Sequence, residues 1–187
     1  MSDTILLWTA QRPIVLDTLE REGVYRVLRS FVEQKYGESG WNFQTAYQFF
    51  VQAARQVLPP PAGAESPVWC WPDPRWVGLD GDCTLLRLTV PRAQVLLFDS
   101  RQWNAILNLS YLPTDAQDQA AFERELARQG VKSPLDLFRT PFYPQLRRRV
   151  ENSWKQLFAP GAALDPRYTQ AAVWELRREW VELCPTK

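Results

Sequence analysis

The apolar residues near the start of the chain form two patterns that predict regular structure. Ile5–Thr9 is a short apolar run, which is typical of a buried β-strand. Pro13 follows at a position that suits the first turn of a helix, and Gly23 stands where a helix C-terminus favours glycine. A strand followed by a helix to Glu22 is therefore expected.

The strongest helical pattern covers about residues 42–57. Apolar side chains recur there at i, i+3, i+4, i+7, i+8 and i+11, which places them on one helix face. The run Pro59-Pro60-Pro61 ends this helix, because proline has no backbone donor and disfavours helix in the residue before it. A weaker patch after Gly23 also has helical spacing, with Val24, Val27, Leu28 and Phe31.

The middle of the chain is predicted to be extended. Val68–Trp71 is aromatic and strand-like, whereas Thr84–Val90 and Gln94–Phe98 are apolar with β-branched residues. Because only a short turn separates the last two segments, we expect them to be neighbouring strands.

Residues 169–183 support two interpretations. The spacing of Val173, Leu176 and Trp180 fits a helix, whereas alternate positions from Gln170 to Leu176 fit a strand. Helix propensity slightly favours the first, but tertiary context can override propensity, so both stay open.

These elements predict an α+β fold. Residues 1–187 are expected to form a single domain, with a mixed or antiparallel sheet flanked by several helices, because the linkers are too short to divide the chain. No apolar run approaches about 18 residues and no secretory pattern opens the chain. We therefore expect a cytoplasmic protein without a membrane partner.

The absence of histidine removes several kinds of chemistry. None of the 187 residues is histidine, so histidine-based hydrolysis, nuclease chemistry and zinc sites are excluded within this chain. The three cysteines, Cys70, Cys83 and Cys184, predict neither a disulfide framework nor a zinc site. No metal is expected, and acid–base work would depend on carboxylates, tyrosine, lysine or cysteine.

Charge gives little indication of the partner. With 22 Lys+Arg against 21 Asp+Glu, the net charge of +1 disfavours nucleic acid without excluding it. Arg147-Arg148-Arg149 lies on a predicted helix, where consecutive residues splay apart, so a solvated helix face is favoured. Phosphate binding there stays open if one of three other arginines converges on the cluster: Arg75, Arg87 or Arg139.

Nine tryptophans are unusual for this length. Their large rings favour a core and rim built from aromatic side chains. An aromatic cleft that stacks a planar ligand is the alternative, and it would need at least two accessible indoles with convergent polar groups.

Glu175 is the most distinctive carboxylate in the sequence. It follows Trp174 within an apolar stretch near the end of the chain. On a strand it would point away from Trp174 and could enter a cleft, where burial could suit it to catalysis. A surface glutamate on an amphipathic element is the alternative.

Several spaced segments resemble a bacterial family known only as a domain of unknown function, of roughly this full length. The segments are Leu7-Trp8-Thr9-x-Gln11, Gly23, Phe43-x-x-Ala46-Tyr47, Pro67-Val68-Trp69-Cys70-Trp71, Val95-Leu96-Leu97-Phe98-Asp99 with Trp103, Ser153-Trp154-x-x-Leu157-Phe158 and Gln170-Ala171-x-x-Trp174-Glu175-Leu176. The resemblance covers nearly the whole chain and implies no activity.

A more distant resemblance links the order of Trp8-Thr9, Tyr47 and Gln170–Glu175 to ADP-ribosyltransferase-like domains. It implies NAD as a ligand and Glu175 as the residue that stabilises an oxocarbenium charge. The cofactor-binding residues that it implies are Trp8, Thr9, Gln11, Arg12, Tyr47 and Gln170. This sequence lacks the first-strand His or Arg of that superfamily, and Tyr47 falls on a predicted helix.

Two classes of function follow. One is a nucleotide-binding, ADP-ribosyltransferase-like domain. The other is a non-catalytic module whose aromatic-rich surface binds a protein or single-stranded nucleic acid.

Overall fold

The computed structural model describes residues 3–28, 30 and 40–183. Within them the strands are β1 (Thr4–Gln11), β2 (Val24–Arg26), β3 (Val68–Cys70), β4 (Thr84–Pro91), β5 (Leu96–Asp99), β6 (Thr169–Val173), β7 (Glu175–Arg177) and β8 (Val181–Leu183). The α-helices are α1 (Pro13–Glu22), α2 (Trp41–Val57), α3 (Ser100–Leu107), α4 (Ala116–Arg128), α5 (Asp136–Arg139) and α6 (Pro144–Ser153). The expected α+β class is confirmed.

The strands pair in antiparallel fashion in three groups, ordered β1-β4-β8, β3-β6-β5 and β2-β7. Trp8 and Trp71 exchange two backbone hydrogen bonds of 2.8 Å, which connect β1 to the end of β3. Trp174 alone separates β6 from β7, so one stretch of chain serves two of the three groups.

Two apolar clusters hold these layers together. The first packs α2, α3 and α6 against the β3-β6-β5 group, and its buried rings include Phe50, Phe98, Trp103 and Trp154. The second lies between α1 and the β1-β4-β8 group and also contains Leu176 of β7. Burying several large side chains in each cluster supplies the main driving force for the fold.

The early elements agree with the sequence pattern in most respects. The strand at Ile5–Thr9 and the helix before Gly23 are confirmed, and Gly23 has a φ of +73°, which glycine adopts without strain. The helical prediction after Gly23 is wrong for Val24–Arg26, which form β2, because these residues pair with β7. Phe31, the last residue of that predicted patch, lies outside the described residues.

The pairing predicted between the two mid-chain strands is also wrong. β4 pairs with β1 and β8, whereas β5 pairs with β6. A 3-10 turn at Arg92–Gln94 separates them, and its first backbone N–H donates to Asp3, at 2.9 Å. The turn therefore redirects the chain into a different sheet.

The ambiguity over residues 169–183 is resolved in favour of strands. β6, β7 and β8 all lie there, with a 3-10 turn at Arg178–Trp180. All of β6 is buried between two neighbouring strands, so tertiary pairing overrides the slight helical propensity. Among the described residues, no helix is both long and apolar enough to cross a bilayer.

Candidate functional site

Glu175 lies directly opposite Arg26 in the β2-β7 pair. The Nε and Nη2 groups of Arg26 both donate to Oε2 of Glu175, each at 2.8 Å. Directly opposed residues of an antiparallel pair share one face, so strand register brings the two charges together.

Arg177 approaches the other oxygen of the same carboxylate. It lies two residues after Glu175 on β7, and its Nε donates to Oε1 at 2.7 Å. The Arg177 guanidinium also lies 5.7 Å from the ring centre of Trp180 and 3.9 Å from a carboxylate oxygen of Glu179. Residues i and i+2 of a strand point to the same side, which explains the placement.

The Glu175 carboxylate is almost fully enclosed by these partners. Its side chain is 4% exposed, and a carboxylate at this depth is stable only when paired. Three guanidinium N–H groups occupy three of its roughly four acceptor positions, which leaves one on Oε1. Two cations around one anion leave the cluster of Arg26, Glu175 and Arg177 with a net positive charge.

A cleft of about 240 Å³ opens beside this cluster. Leu58–Pro61 form one wall, and Gln94, Trp174, Arg177 and Trp180 line the rest together with Glu175. The Trp174 indole N–H donates to the backbone oxygen of Leu58 at 2.6 Å, which fixes the proline segment against the strand. The cleft thus combines a carboxylate, guanidinium donors and aromatic surface, the groups that hold a polar ligand with a planar part.

The predicted residues on β1 lie at a different place. Thr9 is buried and its hydroxyl donates to the backbone oxygen of Trp69, at 2.8 Å, while accepting a hydrogen bond from Gln11, also at 2.8 Å. Trp8 is half-buried, and Arg12 is exposed at the start of α1. None of these four predicted residues lines the Glu175 cleft.

Tyr47 and Gln170 are also separated from the cleft. Tyr47 is buried on α2, its hydroxyl lies 2.6 Å from that of Ser66, and its ring meets Trp69 edge-on. Gln170 is buried near the start of β6. It does not line the cleft beside Glu175. The structure therefore does not bring the predicted cofactor-binding residues together around Glu175.

The nine tryptophans differ in how deeply they are buried. Trp103, Trp154, Trp174 and Trp180 are buried, whereas Trp41 and Trp76 are exposed. The remaining three are half-buried: Trp8, Trp69 and Trp71. Four of the nine rings therefore belong to the core and three form its rim, while Trp76 stays accessible beside Trp71.

The Arg147-Arg148-Arg149 cluster splays apart, as its helical position predicts. Arg147 pairs with Glu151 on the same helix, at 2.9 Å, and Arg149 pairs with Asp118 of α4, at 3.0 Å. Arg75 and Arg87 pair elsewhere, with Asp73 and Glu182. The arginines are thus divided among separate acidic partners.

The sequence did not single out Arg26, which pairs with Glu175, or Arg177 and Trp180, which line the cleft. Arg177 carries a usable signal, because a strand interpretation places it on the same side as Glu175. Arg26 has no such signal in the sequence. Its contact with Glu175 depends on the pairing of β2 with β7, and the two residues are 149 positions apart. Within the described ranges no group of three or more cysteine, aspartate or glutamate side chains could hold a metal ion.

Comparison with known proteins identifies a family without identifying an activity. No curated protein and no solved structure matches the chain. A family model described as Domain of unknown function (DUF3841) matches residues 6–182, which is nearly the whole sequence and includes most of β1 and all of β7. The chain therefore belongs to the family of Domain of unknown function (DUF3841).

Proposed function

We propose that the cleft beside Glu175 binds NAD or a related nucleotide, and that the protein is an ADP-ribosyltransferase-like domain of the bacterial cytoplasm. The observation that supports this proposal is the cluster of one buried carboxylate and two guanidinium groups at a cleft lined by Trp174 and Trp180. A volume of about 240 Å³ is below that of drug-sized ligand sites, so the cleft holds one end of a dinucleotide.

Arg177 is the residue suited to the phosphates. Only its Nε is directed at Glu175, which leaves N–H groups of the guanidinium for an anion. Its side chain is half-buried, so it can reach solvent while its stem packs near Trp180. A diphosphate that attracts Arg177 would loosen its hold on Oε1 of Glu175.

Glu175 would then act on the sugar. Oε1, once released, can accept a hydrogen bond from a ribose hydroxyl and lie beside the anomeric carbon, where positive charge develops. With water as acceptor, the glycosidic C–N bond breaks and its electron pair leaves with nicotinamide. The water oxygen bonds to the anomeric carbon and loses one proton, so the products are ADP-ribose, nicotinamide and H⁺. Arg26 keeps Oε2 in place throughout.

The predicted residues on β1, with Arg12 between β1 and α1, enter this proposal as contacts for the remainder of the ligand. Trp8, Gln11 and Arg12 retain surface that a nucleotide could touch. Thr9, Tyr47 and Gln170 are buried, so their contact with ligand requires the structure to open.

One observation favours a second candidate, a binding module that does not cleave its ligand. Both oxygens of Glu175 are held by arginine in this structure. If a ligand binds without displacing Arg177, the carboxylate serves only to position the two cations, and no bond is broken.

The deciding experiment follows tryptophan fluorescence during titration with NAD and ADP-ribose, together with chromatographic detection of nicotinamide. Arg177→Gln should weaken NAD binding about 10- to 100-fold, the effect of losing a charge-assisted contact. Arg139→Gln, an exposed arginine on α5, is the matched control and should leave affinity unchanged.

Glu175→Gln separates the two candidates, provided that its circular dichroism shows a folded protein. Nicotinamide release by the wild type that is lost in this variant supports the transferase-like function. Saturable binding without nicotinamide release supports the binding module. No fluorescence or calorimetric response to NAD or ADP-ribose at millimolar concentration contradicts both.

A further inference from the structure

Two tetrapeptides of identical pattern form the same turn at one end of the β3-β6-β5 group: Asp73-Pro74-Arg75-Trp76 and Asp165-Pro166-Arg167-Tyr168. In each, the aspartate accepts a hydrogen bond from the arginine backbone N–H, at 2.9 Å and 3.0 Å respectively. In each, the backbone N–H of the aromatic residue donates to the backbone oxygen of the aspartate. Proline between the charged residues restricts the backbone and stabilises the turn.

The carboxylate in each turn also holds the guanidinium of its arginine. Nε and Nη2 of Arg75 lie 3.0 Å and 2.6 Å from Oδ2 of Asp73. The equivalent distances in the second turn, from Arg167 to Asp165, are 3.2 Å and 2.7 Å. The two arginines are therefore oriented in advance by an acidic partner two residues away.

A third pair repeats this arrangement without the proline. Asp99 accepts from the backbone N–H of Arg101, at 2.8 Å, and contacts Nε and Nη2 of the same residue. β3 and β5 end beside the start of β6, because both pair with it in antiparallel fashion. All three aspartate–arginine pairs therefore follow or precede strands at the same end of the sheet, and this end forms one edge of the molecule's surface. The contact of Arg101 with Tyr168 and the groove that Arg75 and Arg167 line together show that the three pairs lie close to one another.

Aromatic rings lie among these arginines. The guanidinium carbon of Arg101 is 3.9 Å from the ring centre of Tyr168, and that of Arg167 is 5.5 Å away. Tyr168 and Trp76 line a groove of about 610 Å³ together with Arg75 and Arg167. Trp76 is 53% exposed, which leaves its ring accessible to a ligand.

Each arginine retains donors for such a ligand. The side chains of Arg75, Arg101 and Arg167 are 85%, 57% and 76% exposed, whereas those of their aspartates are at most 29% exposed. A guanidinium has five N–H groups, and two of them face the aspartate, so three remain for an anion. Hydrogen bonds from the arginine two residues later lower the pKa of each aspartate, and that of Asp165 to about 2, so the three pairs stay ionised at neutral pH.

We propose that the edge formed by Arg75, Arg101, Arg167, Trp76 and Tyr168 binds single-stranded nucleic acid, with the arginines on successive phosphates and the rings stacked on bases. This site is separate from the proposed nucleotide cleft and does not depend on it. Three aspartates balance the three arginines, so the edge has little long-range attraction for one isolated phosphate. Affinity must come from several contacts at once, which a chain of nucleotides supplies.

The test is fluorescence anisotropy with a labelled 12-nucleotide oligo(dT) and the full chain, repeated at several salt concentrations. Three phosphate contacts predict a slope of log affinity against log salt of about −2 for a single strand. Trp76→Ala should weaken binding about 5- to 100-fold, the range for losing one base–ring stack. Arg75→Gln/Arg101→Gln/Arg167→Gln should bring the slope close to zero.

A matched triple variant, Arg21→Gln/Arg128→Gln/Arg139→Gln, removes three exposed arginines that are also paired with acidic residues but lie on helices. It should leave oligo(dT) affinity within about two-fold, since it removes the same charge from another surface. Lysine at positions 75, 101 and 167 keeps the positive charge but lacks the planar set of donors of a guanidinium. The triple lysine variant should therefore bind oligo(dT) more tightly than the triple glutamine variant and less tightly than the wild type.

Four outcomes would overturn the proposal. They are no binding of oligo(dT) at 50 mM salt, equal losses in the two triple variants, equal affinity for double-stranded DNA, and equal affinity for thymidine monophosphate, which would identify a free nucleotide as the ligand. Arg177→Gln should leave oligo(dT) binding unchanged, and the edge triple variant should leave NAD binding unchanged, so failure of one proposal is distinguishable from failure of the other.

Discussion

Arg26 donates two hydrogen bonds to a single oxygen of Glu175, although 149 residues separate the two along the chain. The contact connects β2, which follows the first helix, to β7, which comes near the end of the described chain. It also sets the position of the carboxylate at the cleft. The same ion pair therefore contributes to the stability of the fold and to the geometry of the candidate site.

Arg26→Gln should lower the free energy of unfolding by about 2–3 kcal/mol, because it leaves a buried carboxylate with only one cation. The value is below that of a fully buried pair, since Arg26 is partly exposed and Arg177 remains. Urea denaturation measures the change. Arg21→Gln, which breaks an exposed pair with Glu22, should cost less than about 1 kcal/mol. Equal decreases for the two substitutions would show that the buried Arg26–Glu175 pair stabilises the fold no more than an exposed ion pair does.

Trp154→Ala should destabilise the protein by about 3–5 kcal/mol, the cost of removing a large buried ring. Trp154 packs against Phe49 and Phe138, and its indole N–H donates to the backbone oxygen of Ser110 at 2.7 Å. Trp76→Ala is the control, because that ring is exposed and should contribute less than about 0.5 kcal/mol. Chemical denaturation measures the free energy of unfolding of both variants. A decrease for Trp154→Ala as small as that for Trp76→Ala would contradict the buried packing of Trp154.

Acid should remove the stabilisation that Asp165 contributes. Its folded pKa of about 2 is below the value of about 3.9 for an unfolded aspartate, so the contribution is complete above about pH 4 and disappears toward pH 2. Asp165→Asn should therefore differ most from the wild type near pH 5 and converge with it near pH 2, as measured by the urea midpoint. A constant difference for Asp165→Asn would refute the prediction.

The thiols of Cys70 and Cys83 should differ in reactivity. Cys70 is fully buried between β1 and β6, and burial raises the pKa of its thiol, whereas Cys83 is half-buried. In a Cys184→Ser background, a thiol reagent should modify one cysteine quickly in the native state and the second only after denaturation. Mass spectrometry of Cys83→Ser in that background identifies the slow one. Rapid native labelling of Cys70 would show that this part of the core opens.

Local patterns in the sequence were sufficient for much of the helical structure. The helix before Gly23 and α2 with the prolines that follow it both depend on residues a few positions apart. The same reasoning failed at Val24–Arg26. Three residues are too few to show a period, and their conformation depends on a strand far along the chain.

For the candidate site, the sequence indicated the carboxylate but not its partners. Glu175 could be singled out because a charged residue in an apolar stretch needs a partner, but that reasoning does not say which arginine supplies it. The partner depends on strand register, which a single sequence does not reveal. The Asp-Pro-Arg-aromatic pattern occurs twice in the sequence, but it was not among the predicted features. The convergence of its two copies depends on how β3 and β6 pair.

The order of strands in the sheets has a consequence for how the protein is made. β6 is the central strand of the β3-β6-β5 group, and β7 is the strand that pairs with β2. Both β6 and β7 come after residue 168, so they are synthesised later than the strands with which they pair. On a ribosome that adds about 5–20 residues per second, β1 to β5 emerge many seconds before these partners are synthesised. Until then, the edges of β2, β3 and β5 that pair with β6 and β7 have no partner within the nascent chain, and exposed edges of this kind are where chaperones act and aggregation begins. Conditions that slow translation of the segment between β5 and β6 should therefore reduce the yield of folded protein more than conditions that slow translation of α1.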